Sequence, residues 1–436
     1  MNTTASESTA TCTDGVSNQP ARESNIDALV TFFKSGIKPA ESHGKLGIEL
    51  EHIIVEEDGT PVSYSEEHGV AWLLDTLSAD YPNKTTDDDG DLLGVARPGE
   101  AVTIEPAAQI ELSAGPYDDL SCAYKTFEEF QKKVSKVLSP HGKHLVSYGY
   151  HPTAAARTLE LIPKQRYEYM NEYLGKKDIY GPCMMRGSAS TQISIDYTSE
   201  HDCLRKMRIA YALVPLLSLM CDNSPIFEGA PRDHKLIRTD IWRHVDNDRC
   251  GLVPGVFDES FSLRDYAAFV LDTPAIVVPN GPGAWSYSEK SFGELYACST
   301  MAQHDVEHAV SMQFPDVRLK TYLEIRPADA MPVPYVIAYA ALIKGLFYNE
   351  TSLQRLESLF CNVDEKSFEA AKDELMQHGY DAVVYGRKVS LLCDDVISTA
   401  LEALSADDAA LLAPLANLVH ERVTLADLAE QNSLRK

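Results

Sequence analysis

With 436 residues, 44% of them hydrophobic, the chain can bury one large core or two ordinary ones. Its formal net charge of −26 at pH 7, with Lys and Arg dispersed, argues against a nucleic-acid partner, because the summed field repels a polyanion. The nine cysteines are odd in number and lack C-x-x-C spacing, which argues against a zinc site and fits free thiols in a reducing cytoplasm.

Residues 1–25 are polar and lack an apolar signal region, so they read as a disordered tail. Helical spacing follows over 25–34, and then a strand over 46–52 in which Glu49 and Glu51 share one face while Ile48 and Leu50 share the other. A helix is expected over 66–79. Gln109 and Glu111 then alternate with Ile110 and Leu112, and Glu105 lies just before the Pro106 interruption. The spacing of Leu120, Tyr124, Phe127, Phe130, Val134 and Val137 predicts a helix over 118–138 capped by Asp118.

Gln192, Ser194 and Asp196 alternate with Ile193 and Ile195, and 199–221 reads as a buried helix opened by Ser199. This helix holds the most apolar run, 209–221, which is interrupted by Pro215 and too short to span a bilayer. The stretches 246–258 and 279–283 read as loops. From 317 to 326 the alternation is longest, with Arg318, Lys320, Tyr322, Glu324 and Arg326 on one parity, and it predicts one continuous strand. A helix over 332–348 and further helices beyond 350 complete the chain. The pattern is α+β: a catalytic unit over 26–350 with a helical extension over 351–436 packed on it.

Two carboxylates side by side on one sheet face repel each other and call for a cation, and a divalent metal held by hard oxygen ligands answers that need. A sheet with one wet face explains the alternation by itself, but predicts mixed polar residues there rather than clustered Glu and Gln with two Arg.

Several longer motifs stand in order: Lys45-Leu-Gly-Ile-Glu-Leu-Glu51, Thr103-Ile-Glu-Pro-Ala-Ala-Gln-Ile-Glu-Leu-Ser113, Pro163-Lys-Gln-Arg-Tyr-Glu168, Ile241-Trp with Asp246-Asn-Asp-Arg-Cys-Gly251, and Phe314 through Tyr322-Leu-Glu-Ile-Arg326. Together, over roughly 45–345, they resemble the plant-type and proteobacterial glutamate–cysteine ligases and the related actinobacterial enzymes of ergothioneine synthesis. The resemblance implies a glutamine-synthetase-like ligase fold, an antiparallel sheet curved into a funnel with helices outside. It also implies ATP-dependent joining of the glutamate γ-carboxylate to the cysteine amine through a γ-glutamyl phosphate, with Mg²⁺, in a soluble cytoplasmic monomer or homodimer.

Carried over residue by residue, the resemblance makes Glu49, Glu51 and Glu324 metal ligands, with Gln192 beside the metals. Glu105 and Glu111 line the same site, Glu111 among the catalytic groups and Glu105 with Gln109 toward the substrates. Arg326 lies near the transferring phosphate, and Arg249 holds the substrate α-carboxylate. Arg318 and Lys320 read either as phosphate contacts or as charges on the wet face.

The sequence departs from the plant pattern at Ala107-Ala108, which stand where plants have Gly-Gly, and at Leu50 and Pro327. These departures bear on the amine acceptor, so a γ-glutamyl ligase with another acceptor is the neighbouring reading. A two-metal phosphohydrolase is the reading from another class, since a carboxylate-lined sheet suits that chemistry too.

Overall fold

The computed structural model describes residues 19–39, 41–42, 44–87, 89–281 and 284–433. Nine strands form its main sheet: β1 (Leu46–Glu56), β2 (Asn83–Thr86), β3 (Leu92–Arg97), β4 (Glu100–Ile104), β5 (Ile110–Tyr117), β6 (Lys143–Val146), β7 (Ser190–Ile195), β8 (Val317–Leu319) and β9 (Leu323–Asp329). Their order is β8-β9-β7-β1-β5-β4-β3-β2, with β6 beside the far half of β1, and every pairing is antiparallel.

The period of two sorts the side chains. Ile48, Leu50, Ile110, Leu112, Ile193, Ile195, Leu323 and Ile325 are buried on the outer face. Helices Leu120–Leu138, Glu200–Met220 and Val333–Phe347 pack against that side. Each such side chain contributes at most about 1.5–3 kcal/mol of transfer free energy, which keeps the strand register fixed because a one-residue slip would drive the glutamates into this core. Helix Glu200–Met220 begins at Ser199, whose hydroxyl accepts the Asp202 N–H at 3.0 Å. From Ile209 onward the helix is buried on nearly every side, as its composition predicted.

Three expectations need correction. The helix near residue 25 starts earlier, as Gln19–Ser35, so the tail reading fails for 19–25, while residues 1–18 lie outside the described residues. Asp119, not Asp118, caps Leu120–Leu138, accepting the Ser121 N–H at 2.8 Å. The stretch 317–326 is not one strand but a tight hairpin, β8 to β9, in which Arg318 pairs directly across from Glu324. The turn Lys320-Thr321-Tyr322 carries no Gly, Pro or Asn to mark it, and alternation keeps its parity through a turn of this length.

Beyond residue 350 the chain is largely helical, as Glu350–Phe360, Glu365–His378, Val389–Ala403, Ala406–Glu421 and Leu425–Ser433. Arg232 clamps the last of these, reaching Asp222 at 2.5 Å, Asp427 at 2.7 Å and Glu430 at 2.6 Å. Helices Gln165–Lys177, Ile237–Arg243, Leu263–Asp272 and Gln303–Ser311 had not been anticipated. No helix among the described residues is long and apolar enough to cross a membrane. Among the described residues seven cysteines are free thiols, five of them buried, while Cys298 is disulfide-bonded, which departs from the pattern read as fitting a reducing cytoplasm.

Candidate active site

The inner face of the sheet is a grid of polar side chains. One row runs from Gln192 on β7 through Glu49 on β1 to Ser113 on β5; the next places Glu51 beside Glu111 and Glu111 beside Thr103. At the β8–β9 edge, Arg318 faces Glu324. These residues converge because strand pairing stacks positions that are two apart in sequence.

At the centre, Glu51 accepts from the Ser190 N–H at 2.8 Å and the Ser190 hydroxyl at 2.7 Å. Glu111 accepts from the hydroxyls of Thr103 at 2.9 Å and Ser113 at 2.8 Å. Burial, with Glu111 and Glu324 nearby, pushes Glu49 up to about 8. Burial, with Glu51 and Glu111, pushes Glu105 up to about 8 as well. Glu51 and Glu111 are raised by burial too, Glu111 also by Glu51. Arg318 and Lys320 act against the rise at Glu49, and Arg238 and Arg326 against that at Glu51, but they do not offset burial and the crowding of four acids.

The edge is the opposite case. Burial acts to raise Glu324, but Arg318, Lys320 and Arg326 override it and hold that carboxylate well below the usual range. Glu324 Oε2 accepts from Arg318 Nε and Arg326 Nη1, both at 2.7 Å, and Oε1 accepts from Lys320 Nζ at 2.9 Å. Arg326 also donates to Gln192 Oε1, and Gln192 Nε2 reaches Glu51 at 3.5 Å, so this amide links the cationic edge to the acidic centre.

A cleft of about 1060 Å³ opens over the grid, lined by Glu49, Glu51, Glu105, Gln109, Glu111, Gln192, Arg318, Lys320 and Arg326. A second cleft, of about 1080 Å³, meets it at Glu49 and is walled by Lys38, Lys45 and Arg97 and by the backbone at Gly47, Gly99 and Gly115.

The structure relocates several roles read from the sequence. Glu324, expected as a metal ligand, is fully buried with both oxygens engaged by cations, and it does not line the cleft. Gln192, expected beside metals, spends its oxygen on Arg326. Gln109 lines the cleft, but its amide ties backbone: Nε2 donates to the carbonyls of Arg186 and Ser188, each at 3.0 Å, and Oε1 accepts from Ala107 N–H at 3.0 Å. Arg249 is outside the cleft altogether. Its Nε pairs with Asp246 at 2.6 Å and its other nitrogens donate to the carbonyls of Met312 and Pro274, so burial and a complete set of internal partners remove it from substrate contact.

Among the cleft residues that had not been singled out individually, Arg166, Tyr167 and Arg238 carry chemistry. Arg166 and Tyr167 stand in the quoted Pro163–Glu168 motif, and their place in it was the available signal. Arg238 lies three residues before the quoted Ile241-Trp. It is 6% exposed, makes no salt bridge among the described residues, and rests with its guanidinium carbon 5.2 Å from the Trp242 ring. A buried guanidinium without a carboxylate partner is a place for an anionic ligand.

Glu49 and Glu105 make no side-chain hydrogen bond among the described residues, and both face the cleft, which suits hard-oxygen donation to a cation. No three of His, Cys, Asp and Glu among the described residues converge tightly enough to hold an ion by themselves. The donor set therefore fits an ion that keeps waters and shares its remaining positions with ligand oxygens, and it does not fit a closed protein cage.

Residues 45–430 match the model of Glutamate-cysteine ligase family 2. The chain belongs to that family. It is 31% identical over 342 residues to glutamate–cysteine ligase B, chloroplastic, of Oryza sativa subsp. japonica, covering 76% of this chain and 68% of the relative. It is 29% identical over 393 residues to the chloroplastic glutamate–cysteine ligase of Nicotiana tabacum, covering 86% and 73%. A crystal structure of glutamate–cysteine ligase from Francisella tularensis in complex with AMP superposes with a TM-score of 0.54 at 11% identity, covering 86% of this chain and 81% of that one. That likeness is one of fold, and it bears out the carboxylate–amine ligase architecture expected from the motifs.

Proposed function

We propose that this member of the family joins the γ-carboxylate of glutamate to the amine of cysteine, using ATP and Mg²⁺ and passing through γ-glutamyl phosphate. The observation that carries the reading is the juxtaposition on one sheet face of four crowded glutamates with Arg318, Lys320 and Arg326. Bringing ATP to a carboxylate sets anion against anion, and this face supplies both the cations and the oxygen ligands for a further one.

Glu49, Glu51, Glu105 and Glu111 would hold Mg²⁺. The ion would supply positive charge that offsets the negative charge of the phosphoryl group being transferred. Arg326 and Lys320 stabilise the transferring group from the cleft's edge, while Arg318 and Glu324 fix their positions. Arg238 takes the glutamate α-carboxylate, the role read from the sequence at Arg249. The cleft bearing Lys38, Lys45 and Arg97 suits the nucleotide, and the deeper one suits the amino acids, with Glu49 where they meet.

The test is a panel of amines assayed for ADP release with glutamate, ATP and Mg²⁺. Release that requires both glutamate and an amine, with cysteine preferred, is the expected result. ADP formed without an amine or glutamate would point to the phosphohydrolase, and preference for another amine would move the acceptor.

A further inference from the structure

Five cationic side chains line the cleft, and three of them, Arg318, Lys320 and Arg326, are spent on Glu324. Arg238 and Arg166 are left, and Arg166, like Arg238, makes no salt bridge among the described residues. Its Nε is buried without a hydrogen-bond partner, and its Nη2 donates to the Met312 sulfur, a weak acceptor, at 3.5 Å. The ligase reading, on which this inference rests, brings two α-carboxylates into the cleft, one on glutamate and one on the amino acid that accepts it. Arg238 answers the first, and Arg166 is the unspent charge for the second.

The wall beside Arg166 is unlike the rest of the cleft. Helix Gln165–Lys177 presents Arg166 and, one turn on, about 5.4 Å along its axis, Met170, so the cation and the thioether share a face. Met184 and Met185 extend that wall from Cys183–Gly187, a single π-turn in which the Ser188 N–H donates to the Cys183 carbonyl at 3.1 Å. Such widened turns occur mostly at functional sites. This one is pinned from two directions: the Gln109 amide donates to the Arg186 and Ser188 carbonyls, and the Arg186 guanidinium donates to Asn171 Oδ1 at 2.8 Å, next to Met170. Met170 and Met185 are buried, so the wall is a fixed, sulfur-rich surface beside an unpaired guanidinium.

Thioether sulfur is soft and polarizable, packs well against a thiol, and offers a hydroxyl only a weak acceptor. A hydroxyl entering there loses its water without a replacement. We propose that Arg166 and the wall of Met170, Met184 and Met185 form the acceptor's subsite. It takes an α-amino acid by its carboxylate and selects a thiol or a small apolar group over a hydroxyl on the β-carbon.

The experiment measures γ-glutamyl product from wild type, Arg166→Gln and Met184→Gln with cysteine, 2-aminobutyrate, serine and cysteamine as acceptors. In kcat/KM, wild type should use 2-aminobutyrate within about tenfold of cysteine, serine about 100-fold less well, and cysteamine, which lacks a carboxylate, at least about tenfold less well. Arg166→Gln should raise the KM for cysteine by about tenfold or more, with the KM for glutamate and ATP within about twofold and cysteamine used as by wild type. Met184→Gln gives a hydroxyl an acceptor at the partly buried member of the wall and should lower the cysteine-to-serine ratio by about tenfold. Equal losses with cysteine and cysteamine in Arg166→Gln, or a rise in the KM for glutamate or ATP in place of that for cysteine, overturn the carboxylate contact. An unmoved cysteine-to-serine ratio in Met184→Gln overturns the thiol wall. Should either variant not fold, wild type decides: cysteamine used as well as cysteine, or serine as well as 2-aminobutyrate, overturns the corresponding half. A wild type that forms no γ-glutamyl product with any acceptor sinks the ligase reading itself, whereas an active wild type with unmoved variants sinks only the subsite.

Discussion

Glu324 and Glu49 project from neighbouring parts of one sheet face, yet their surroundings drive them in opposite directions. Glu324 is closed in by three cations and stays ionised, whereas Glu49 shares its site with other acids and is pushed up to about 8. Burial is common to both; the difference lies in what strand pairing sets beside them. The hairpin folds Arg318 and Lys320 back onto Glu324, while the β1–β5 register lays Glu51 against Glu111. The edge is electrostatically complete by itself, and the centre is complete only with cations from outside.

The sharpest way to break this contrast is at Arg326, which serves Glu324 and lines the cleft at once. Arg326→Ala should lower kcat by about 100-fold or more, the scale of losing one preorganised charge donor, with a smaller change in the KM for glutamate. Steady-state kinetics at saturating ATP measures it. A kcat within a few-fold of wild type would show that the cationic edge serves the fold and not the transfer.

A second contrast concerns two buried arginines on one stretch of chain. Arg238→Ala should reduce kcat/KM for glutamate by about tenfold or more, on the scale of a charged hydrogen bond, with little effect on the KM for ATP. Arg249→Ala instead strands Asp246 and should destabilise the fold by roughly 3–5 kcal/mol, seen as a lower urea midpoint. If Arg249→Ala raises the KM for glutamate while the midpoint holds, the two roles are exchanged.

The acidic centre also sets a pH dependence. Glu49 and Glu105 bind protons more tightly folded than unfolded, so between about pH 5 and pH 8 the metal-free protein holds more protons than its unfolded chain and loses stability as pH rises. Glu324 acts with the other sign: its contribution is present above the unfolded carboxylate range and is lost as pH falls through its depressed value. Thermal melts with chelator should therefore show a Tm that drops from about pH 6 to about pH 8. Added Mg²⁺ should restore more of it at the higher pH, where the carboxylates are ionised and free to bind. An increment from Mg²⁺ that is the same at both ends would mean that the ion does not engage these groups.

How far the sequence foretold this site depends on which interactions are local. Alternation placed Glu49, Glu51, Gln109, Glu111 and Gln192 on the inner face, because a period of two needs only neighbours along the strand. The β8–β9 turn escaped notice because alternation persists through it, and with it the fact that Arg318 meets Glu324 across strands. Arg249 and Arg238 look alike in sequence, and only the packing of Met312 and Pro274 carbonyls around the former distinguishes a structural guanidinium from a free one. Charge-rich helices such as Gln165–Lys177 bury few residues, so their periodicity was faint.

The smallest expected effect tests a departure from the plant pattern. Ala108 adopts a φ of +67°, in the left-handed region that favours glycine, and the turn it occupies holds Glu105 in the cleft. The Ala108 N–H donates to the Glu105 carbonyl at 2.9 Å, and the Glu105 N–H donates to the Gln109 carbonyl at 2.9 Å. The backbone has thus kept the shape a glycine would take despite its Cβ. Ala108→Gly should relieve strain of about 1–2 kcal/mol and give back part of it through a freer unfolded chain, for a net stabilisation of about 1 kcal/mol or less. Turnover should be unchanged, since the turn's hydrogen bonds and the placement of Glu105 do not depend on the methyl group. A changed preference among amine acceptors at unchanged stability would instead make this methyl part of the acceptor's binding surface, and the acidic centre would then select the amine as well as hold the metal.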